Sequence, residues 1–323
     1  LKLKNIDLSI IIVNWNSANY LRKCLGSIFD QTKNIEFEII VVDNASFDGS
    51  DQIVREEFPG VQFIQSEQNI GFARANNLGF QYASGEILLF LNPDIEVIGS
   101  AIERMFLQLK SLPDAGAVGC RLVNADFSVQ TDCIQNFPTI LNQSLGTDYL
   151  MNRFPNFKLW GKTPLYSKNE KPIAVNVIIG ACIMIRRNLF EKIGRFTTDY
   201  FMYSEDVDLC YKIKKAQSNV YYLNEIEMIH YGGKSSMHIQ NSFFPAIQIK
   251  QSRMIFFKKT KGNLYAIAYR FVMFLISILR ILLIYMLLPF QKLISKNENL
   301  THSLHKWKSV LKWSFGIHEY IKN

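Results

Sequence analysis

What the sequence lacks narrows it first. Five cysteines (Cys24, Cys120, Cys133, Cys182 and Cys210) are scattered through 323 residues with no CxxC spacing. Neither a disulfide framework nor a structural zinc site is expected, and a reducing compartment is. The turn after the first apolar run, "NWNSAN", contains no glycine, which excludes the GxGxxG fingerprint of a dinucleotide-dependent oxidoreductase. No basic, glycine-rich phosphate loop lies near that run, as a nucleotidyltransferase would need. The run itself, "LSIIIVNW", is too short for a secretory signal and no cleavage-like site follows, so no leader is expected. There is no internal repeat and no low-complexity linker.

Acidic residues are scarce in one region only. Residues 261–323 hold nine Lys/Arg against Glu298 and Glu319, a charge of +7 out of +8 for the whole chain. The rest is nearly neutral, so the basicity predicts an anionic membrane surface and no nucleic acid. Residues 264–290 are almost continuously apolar and long enough to cross a bilayer. Arg270 and Arg280 interrupt them, and an arginine at a helix centre costs about 2.5–3.5 kcal/mol on insertion. Lysines flank both ends, so a single span would put a basic tail on the outer side, against the positive-inside rule. Residues 300–315 read as a basic amphipathic helix with Leu304, Trp307, Val310 and Leu311 on one face. The expectation is a tail lying in, or re-entering, the cytosolic leaflet; a true span and a buried soluble helix pair are the alternatives. The chain divides accordingly into residues 1–260 and 261–323.

The rest alternates short apolar runs with helical patterns. Strands are expected at 8–13, 37–43, 61–66, 86–94, 115–123 and 175–187, with helices at 17–30 (capped by Ser17), 51–58, 100–112 and 188–194, a glycine turn running into a helix at 69–84, and an aromatic start that becomes a helix at 201–217. Residues 220–236 read as a strand, a break and a glycine loop. Residues 124–172 lack periodicity, as functional loops do. Such alternation predicts an α/β fold with a mainly parallel sheet, and ligands at the carboxyl ends of its strands. Three of those ends carry Asn14/Trp15, Asp43 and Asn92/Asp94.

Each polar cluster admits two readings. Asp43 could accept from the imide N–H of a uracil or thymine ring, or simply form an Asx-turn in "DNAS". "NPD" places Asp94 where a hard cation could sit, and is equally a common turn. Glu205, Asp206 and Asp208 crowd the first turn of a helix, where the dipole tolerates them; their mutual repulsion also suits a catalytic base or a cation site. His230 precedes "YGGKSS" and is either a hydrogen-bonded core residue or part of a site closing over phosphates, with Lys234 and Ser235 as clasps.

Taken in order, "SIIIVNWN … VVDNASFDGS … NIGFARANNLG … LLFLNPD … GACIMIRR … FMYSEDVDLC … HYGGKSS" resembles the GT-A fold glycosyltransferases of family 2, over roughly residues 6–240. Within that family it is most similar to the rhamnosyltransferase branch that builds surface polysaccharides. The resemblance implies a nucleotide-diphospho-sugar transferase fold followed by membrane-associated helices at the cytoplasmic face of the cell membrane. It places Trp15 against the nucleobase with Val13 and Asn14 on the same edge, and pairs Asp43 with the pyrimidine. Gly71, Arg74 and Asn76 match the segment facing the nucleotide, and Gly180 and Ala181 the small residues beside the donor sugar. Asp94 matches the last acid of the metal motif, whose first acid Asn92 replaces, and His230 completes the shell for Mg2+ or Mn2+. Asp206 matches the general base, with Glu205 and Asp208 supporting it or the acceptor. The implied activity is inverting transfer of a sugar, rhamnose first, from a dTDP- or UDP-linked donor to a glycan or lipid-linked acceptor. A UDP-hexose donor and a non-catalytic sugar- or lipid-binding protein are the alternatives; the acids at 94 and 206 speak against the latter.

Overall fold

The computed structural model describes residues 6–145, 153–154, 157, 171–232, 243–290 and 300–317. Contacts divide the chain into two units: Leu1–Phe137, Gly161–Phe201 and Glu205–His238 form the first, and Pro138–Trp160, Met202–Ser204 and Ile239–Asn323 the second.

In the first unit the apolar runs become strands. β1 (Leu8–Asn14) is buried along its whole length, as a strand covered on both faces must be. α1 (Ala18–Gln31) buries Leu21, Cys24, Leu25 and Ile28, one stripe at helical spacing. Ser17 does not cap it. The Ser17 hydroxyl donates to Trp15 O at 2.9 Å, and Asp48 Oδ2 accepts from the Ala18 N–H at 2.9 Å instead. A carboxylate from a distant loop thus satisfies the helix start.

β2 (Phe37–Asp43), α2 (Ser50–Glu57), β3 (Gln62–Gln65), α3 (Phe72–Phe80) and β4 (Ile87–Leu91) continue the alternation. β5 (Ile95–Val97), α4 (Ala101–Ser111), β6 (Ala115–Val123) and β7 (Ile134–Gln135) follow. After α5 (Ile140–Ser144), which belongs to the second unit, come β8 (Ile173–Val175), β9 (Val177–Ile178), β10 (Cys182–Arg186), α6 (Arg187–Lys192), α7 (Glu205–Lys215) and β11 (Asn219–His230). Among the described residues nine strands form one sheet in the order β3-β2-β1-β4-β10-β6-β11-β5, with β8 beside β11. β3, β2, β1 and β4 run parallel; β10 enters antiparallel between β4 and β6. The sheet is mixed but mostly parallel. α3 lies close on β1 because a Cβ on Gly79 would meet Ile11 Cγ2 at 2.7 Å.

Two stretches differ from the sequence reading. The single strand expected at 175–187 is several: β8 pairs with β11, β9 with β7, and β10 rejoins the main sheet. A continuous apolar run does not reveal that its partners change, and the turn at Gly180 falls between them. Conversely, the break expected within residues 220–236 does not end β11 before His230. It is an irregularity against β6, whose register shifts between Leu223 and Glu227, and pairing resumes to deliver His230.

The second unit is helical among its described residues. α8 (Phe244–Lys261) and α9 (Asn263–Leu287) are separated by Gly262 at φ +93°, and α10 (Leu300–Ser314) follows. α9 buries Ala266, Tyr269, Met273, Ser277 and Ile284, and Tyr269 meets Trp313 of α10 with ring centroids 6.1 Å apart. Arg270 donates to Trp313 O at 2.8 Å and Ser314 O at 3.1 Å, occupying carbonyls at the end of α10 that no helical N–H can reach. α10 buries Leu304, Val310 and Trp313, leaving Trp307 and Leu311 half-buried. By length and composition α9 could cross a membrane: its most apolar window has mean hydropathy 2.2 and is only 22% buried. Leu264, Phe271, Leu275, Leu279, Leu282 and Met286 are all exposed on it.

Candidate active site

β1 and β2 end level with each other, Asn14 opposite Asp43. Asn14 is fully buried, and its Nδ2 donates to Asp43 Oδ1 at 2.7 Å and Ser50 Oγ at 2.8 Å. Asp43 is 1% exposed. It accepts from Asn14 Nδ2, Ser46 Oγ (2.6 Å), Ser46 N (2.9 Å) and Gln65 Nε2 (2.7 Å). An ionised carboxylate has about four acceptor positions, and all are taken. With these four protein donors Asp43 organises the strand ends. Val13 is buried and Trp15 half-buried beside it. The backbone is strained here, with Asn16, Ala45 and Phe47 all at positive φ, as functional loops often are.

The glycine turn is tied to this edge through Asn44, which donates to Asn69 Oδ1 at 2.8 Å and accepts from Ile70 N at 2.9 Å. Gly71 sits at φ +82°, and a Cβ there would lie 2.4 Å from Phe201 O. The Phe72 N–H donates to that same oxygen at 2.9 Å. Asn76 is buried and donates within its own helix to Phe72 O, whereas Arg74 is exposed and donates to Thr198 O at 3.3 Å. Of these three, only Arg74 presents an open side chain.

Asp94 follows β4, and antiparallel pairing of β5 with β11 sets His230 opposite Ile95. His230 Nε2 lies 3.4 Å from Asp94 Oδ1, and Asp94 is 2% and His230 7% exposed. Both carboxylate oxygens and Nε2 have no hydrogen-bond partner. Gln130 explains the ring. Its Nε2 donates to His230 O at 2.7 Å and Asn124 Oδ1 at 2.8 Å, which turns its Oε1 toward His230 Nδ1, 2.8 Å away. An acceptor there takes the proton of Nδ1 and turns Nε2 toward Asp94. A lone pair on Nε2 facing a carboxylate is unfavourable unless a proton or a metal cation lies between them. Oxygen and imidazole nitrogen donors suit Mg2+ or Mn2+. Among the described residues no cluster of three or more His, Cys, Asp or Glu could hold a metal; Asp94 and His230 stand as a pair.

Asn92 links this corner to the next. Its N–H donates to Ala181 O at 2.9 Å. The adjoining Gly180 N–H donates to Asp206 Oδ2 at 3.0 Å, and a Cβ on Gly180 would meet Asp206 Cβ at 3.3 Å. Asp206 Oδ1 accepts from Val207 N at 2.8 Å, and the side chain stays half-exposed at the start of α7. Glu205 is buried one residue earlier. Asp208 is engaged elsewhere: it accepts from Thr197 Oγ1 at 2.6 Å and Tyr200 Oη at 3.3 Å, and Lys212 Nζ lies 3.6 Å away. Burial and the nearby Asp208 carboxylate push the Tyr200 phenol far up, keeping it a neutral donor. Of the three acids, Asp206 alone is half-exposed.

Sequence reasoning missed Gln130, Ser46, Gln65 and Asp48. Nothing in the composition around Gln130 marks it; it meets His230 across a hundred positions of chain. Lys234 and Ser235 lie outside the described residues.

Residues 9–194 match the family described as Glycosyl transferase family 2. The chain is 28% identical over 229 residues to the low-salt glycan biosynthesis hexosyltransferase Agl10 of Haloferax volcanii, covering 69% of this chain and 67% of that protein. It is 26% identical over 245 residues to the N-acetylglucosaminyl-diphospho-decaprenol L-rhamnosyltransferase of Mycobacterium tuberculosis, covering 71% and 77%. A solved mannosyltransferase from Pyrobaculum calidifontis, in complex with GDP-Man and Mn2+, superposes with a TM-score of 0.61 at 17% identity over 99% of this chain and 89% of that one.

Proposed function

Because the chain belongs to glycosyl transferase family 2, a family of GT-A fold sugar transferases, we propose that it moves rhamnose from dTDP-rhamnose, with inversion, to a lipid-linked glycan of a surface polysaccharide. The observation that carries this reading is the line from the orphaned Asp94/His230 pair through Asn92, Ala181 and Gly180 to the half-exposed carboxylate of Asp206. The relatives named for L-rhamnosyl and hexosyl transfer support it.

Asp206 acts as general base. It takes the proton of an acceptor hydroxyl while that oxygen attacks the anomeric carbon. The bond from that carbon to the phosphate oxygen breaks on the opposite face, and the nucleoside diphosphate departs with the electron pair. One displacement inverts the centre. The Gly180 N–H fixes Asp206 Oδ2, which leaves the carboxylate oriented before substrate arrives. Glu205 borders the acceptor, and Asp208 positions α7 through Thr197 and Tyr200. Asp94 and His230 hold a divalent cation, Mg2+ or Mn2+, which when bound neutralises charge on the departing diphosphate. Trp15 packs on the base with Val13 and Asn14 at the same edge, Asp43 orders that subsite, Arg74 meets the nucleotide, and Gly71, Asn76 and Ala181 shape the pocket walls.

The second unit attaches the enzyme to the cytoplasmic face of the membrane. Its α9 lies in the leaflet and does not span it. Arg280 of α9 donates to Ser144 O at 3.2 Å, and its guanidinium lies 4.4 Å from the Trp307 ring centroid. A span would carry both of those polar segments into hydrocarbon.

A thermal-shift panel of nucleotide sugars with and without Mn2+ tests the donor. A true donor at a hundred times its Kd stabilises the fold by about 2.7 kcal/mol. dTDP-rhamnose should raise Tm in Mn2+ and lose the effect in EDTA. A larger shift with a UDP-hexose would replace the sugar, and no shift with any donor would favour a non-catalytic binder.

A further inference from the structure

A cavity of about 340 Å³ lies in the first unit at the C-terminal end of α7, the end opposite Asp206. One wall is β8, which among the described residues pairs with β11 alone. Its polar lining is Asn136, Asn176, Lys214, Ser218 and Asn219. Asn176 Nδ2 donates to Asn136 Oδ1 at 2.9 Å, and Lys214 Nζ donates to Asn176 Oδ1 at 3.0 Å. Lys214 Nζ also lies 5.5 Å from the Phe137 ring centroid. Asn219 Nδ2 donates to Asp114 Oδ2 at 2.6 Å. The lining is thus ordered before a ligand arrives, which lowers the cost of binding one.

The volume suits a small-molecule site, which takes roughly 300–1,000 Å³. The chemistry selects what it holds. Lys214 is the one charged side chain in the lining, and α7 presents its C-terminal carbonyls, the negative end of its dipole, on this side. A single ammonium set against that dipole makes a poor anion site. Amides both donate and accept, as the hydroxyls of a neutral sugar do. The chain of bonds uses Asn136 through its oxygen and Lys214 through one N–H, which leaves an amide NH2 and two ammonium hydrogens to give. Ile173, Val175 and Val220 add apolar wall for the C–H faces of a pyranose ring.

The position fits as well. Asp206 and Lys214 are eight residues apart on α7, about 12 Å along its axis. The segment that starts at Asn176, bonded to Lys214, ends at Gly180, bonded to Asp206. The cavity is separate from the reaction centre, at a distance that a short oligosaccharide spans.

We propose that this cavity is a second carbohydrate site, which takes one neutral pyranose unit of a glycan at a distance from the reacting hydroxyl. It lies beyond the donor and acceptor positions at Asp94 and Asp206, and it rests on the transferase reading only for its role of holding a growing chain.

The test is saturation-transfer NMR on the full chain without donor, with methyl α-L-rhamnopyranoside and methyl β-D-glucopyranoside as probes and inorganic phosphate as competitor. Wild type should give saturable binding of at least one glycoside that phosphate does not displace. Lys214→Met, at an exposed position, should weaken it about fivefold, and the double variant Asn136→Ala, Lys214→Met on the order of thirtyfold. Ala174→Trp puts a ring into the cavity from an exposed position on β8 and should block binding with every polar group kept; melting curves check that each variant is folded. No saturable binding by wild type would overturn the proposal, and so would displacement by phosphate. Unchanged affinity in folded Ala174→Trp and Lys214→Met would place the sugar elsewhere and overturn it too. Donor binding, measured separately by thermal shift, tests the transferase reading, so either idea can fail without the other.

Discussion

Gln130 Oε1 lies 2.8 Å from His230 Nδ1, and this contact decides which ring nitrogen faces Asp94. Because the amide also donates to His230 O and Asn124 Oδ1, its orientation is set by three partners at once. Replacing Gln130 with leucine removes the preference for the Nδ1–H form and lets the ring turn. Outer-shell partners of this kind are worth about 10–100-fold in metal affinity. Calorimetric titration with Mn2+ should show a loss of that size in Gln130→Leu, with turnover recovering at saturating metal. Unchanged affinity would mean that other contacts orient the ring.

Asp206 accepts from the Gly180 and Val207 N–H groups, so the variant that tests it must keep the shape of the side chain. Asp206→Asn keeps an oxygen for one of these donors and loses the basic lone pair. Sugar transfer should fall about 10²–10⁴-fold, while Tm and donor binding stay near wild type. Near-normal turnover in the folded variant would reassign the base.

Much of this is legible in the sequence. The parallel half of the sheet followed from β-branched runs ending on polar residues, since side-chain period and turn chemistry are local properties. The positions of Asn14, Asp43, Asp94 and Asp206 at strand and helix ends followed in the same way. What stayed hidden depends on partners distant in sequence. Nothing near Gln130 announces His230, and no local pattern tells that Asp48 will cap α1 in place of Ser17. The four donors that fill Asp43 come from three separate segments, so its availability could not be judged from "VVDNAS". The insertion of β10 antiparallel between β4 and β6 was hidden for a similar reason, because an apolar run carries no mark of direction.

Gly71 offers a stability test independent of chemistry. A side chain there meets two penalties, a φ of +82° and a backbone oxygen, Phe201 O, 2.4 Å from the new Cβ. The backbone term alone costs about 1–3 kcal/mol, and the oxygen has no flexible side chain to give way. Gly71→Ala should lower Tm by roughly 2–4 °C for each kcal/mol lost. A melting curve that matches wild type would show that the Phe201 segment can move aside.

Glu38 predicts a pH dependence. Burial pushes its carboxyl up, but hydrogen bonds from Ser9 Oγ at 2.6 Å, Ser84 N at 2.5 Å and Ser84 Oγ at 2.8 Å more than offset this. The net shift is below the ordinary value of 4.5. A depressed folded value means the stabilisation is complete above the ordinary value and disappears as pH falls through the folded one. Glu38→Gln should therefore be less stable than wild type at neutral pH, with the gap closing in acid. A gap that is constant across that range in paired melting curves would tie the effect to shape and not to charge.

Asp43 separates two roles that a sequence motif cannot distinguish. If it chiefly orders the strand ends, Asp43→Ala leaves the donors of Asn14, Ser46 and Gln65 facing a buried void. Each unsatisfied group costs about 1–3 kcal/mol, so the apo protein should melt well below wild type even without nucleotide. If instead it chiefly reads the base, one of its four donors must be displaced when nucleotide arrives, and the loss should appear in donor affinity with the apo Tm nearly kept. The occupied carboxylate favours the first outcome. Melting curves of Asp43→Ala with and without dTDP, run beside Asp43→Asn, decide between them, because the asparagine retains one acceptor oxygen and should recover part of the apo stability only if ordering is the main role.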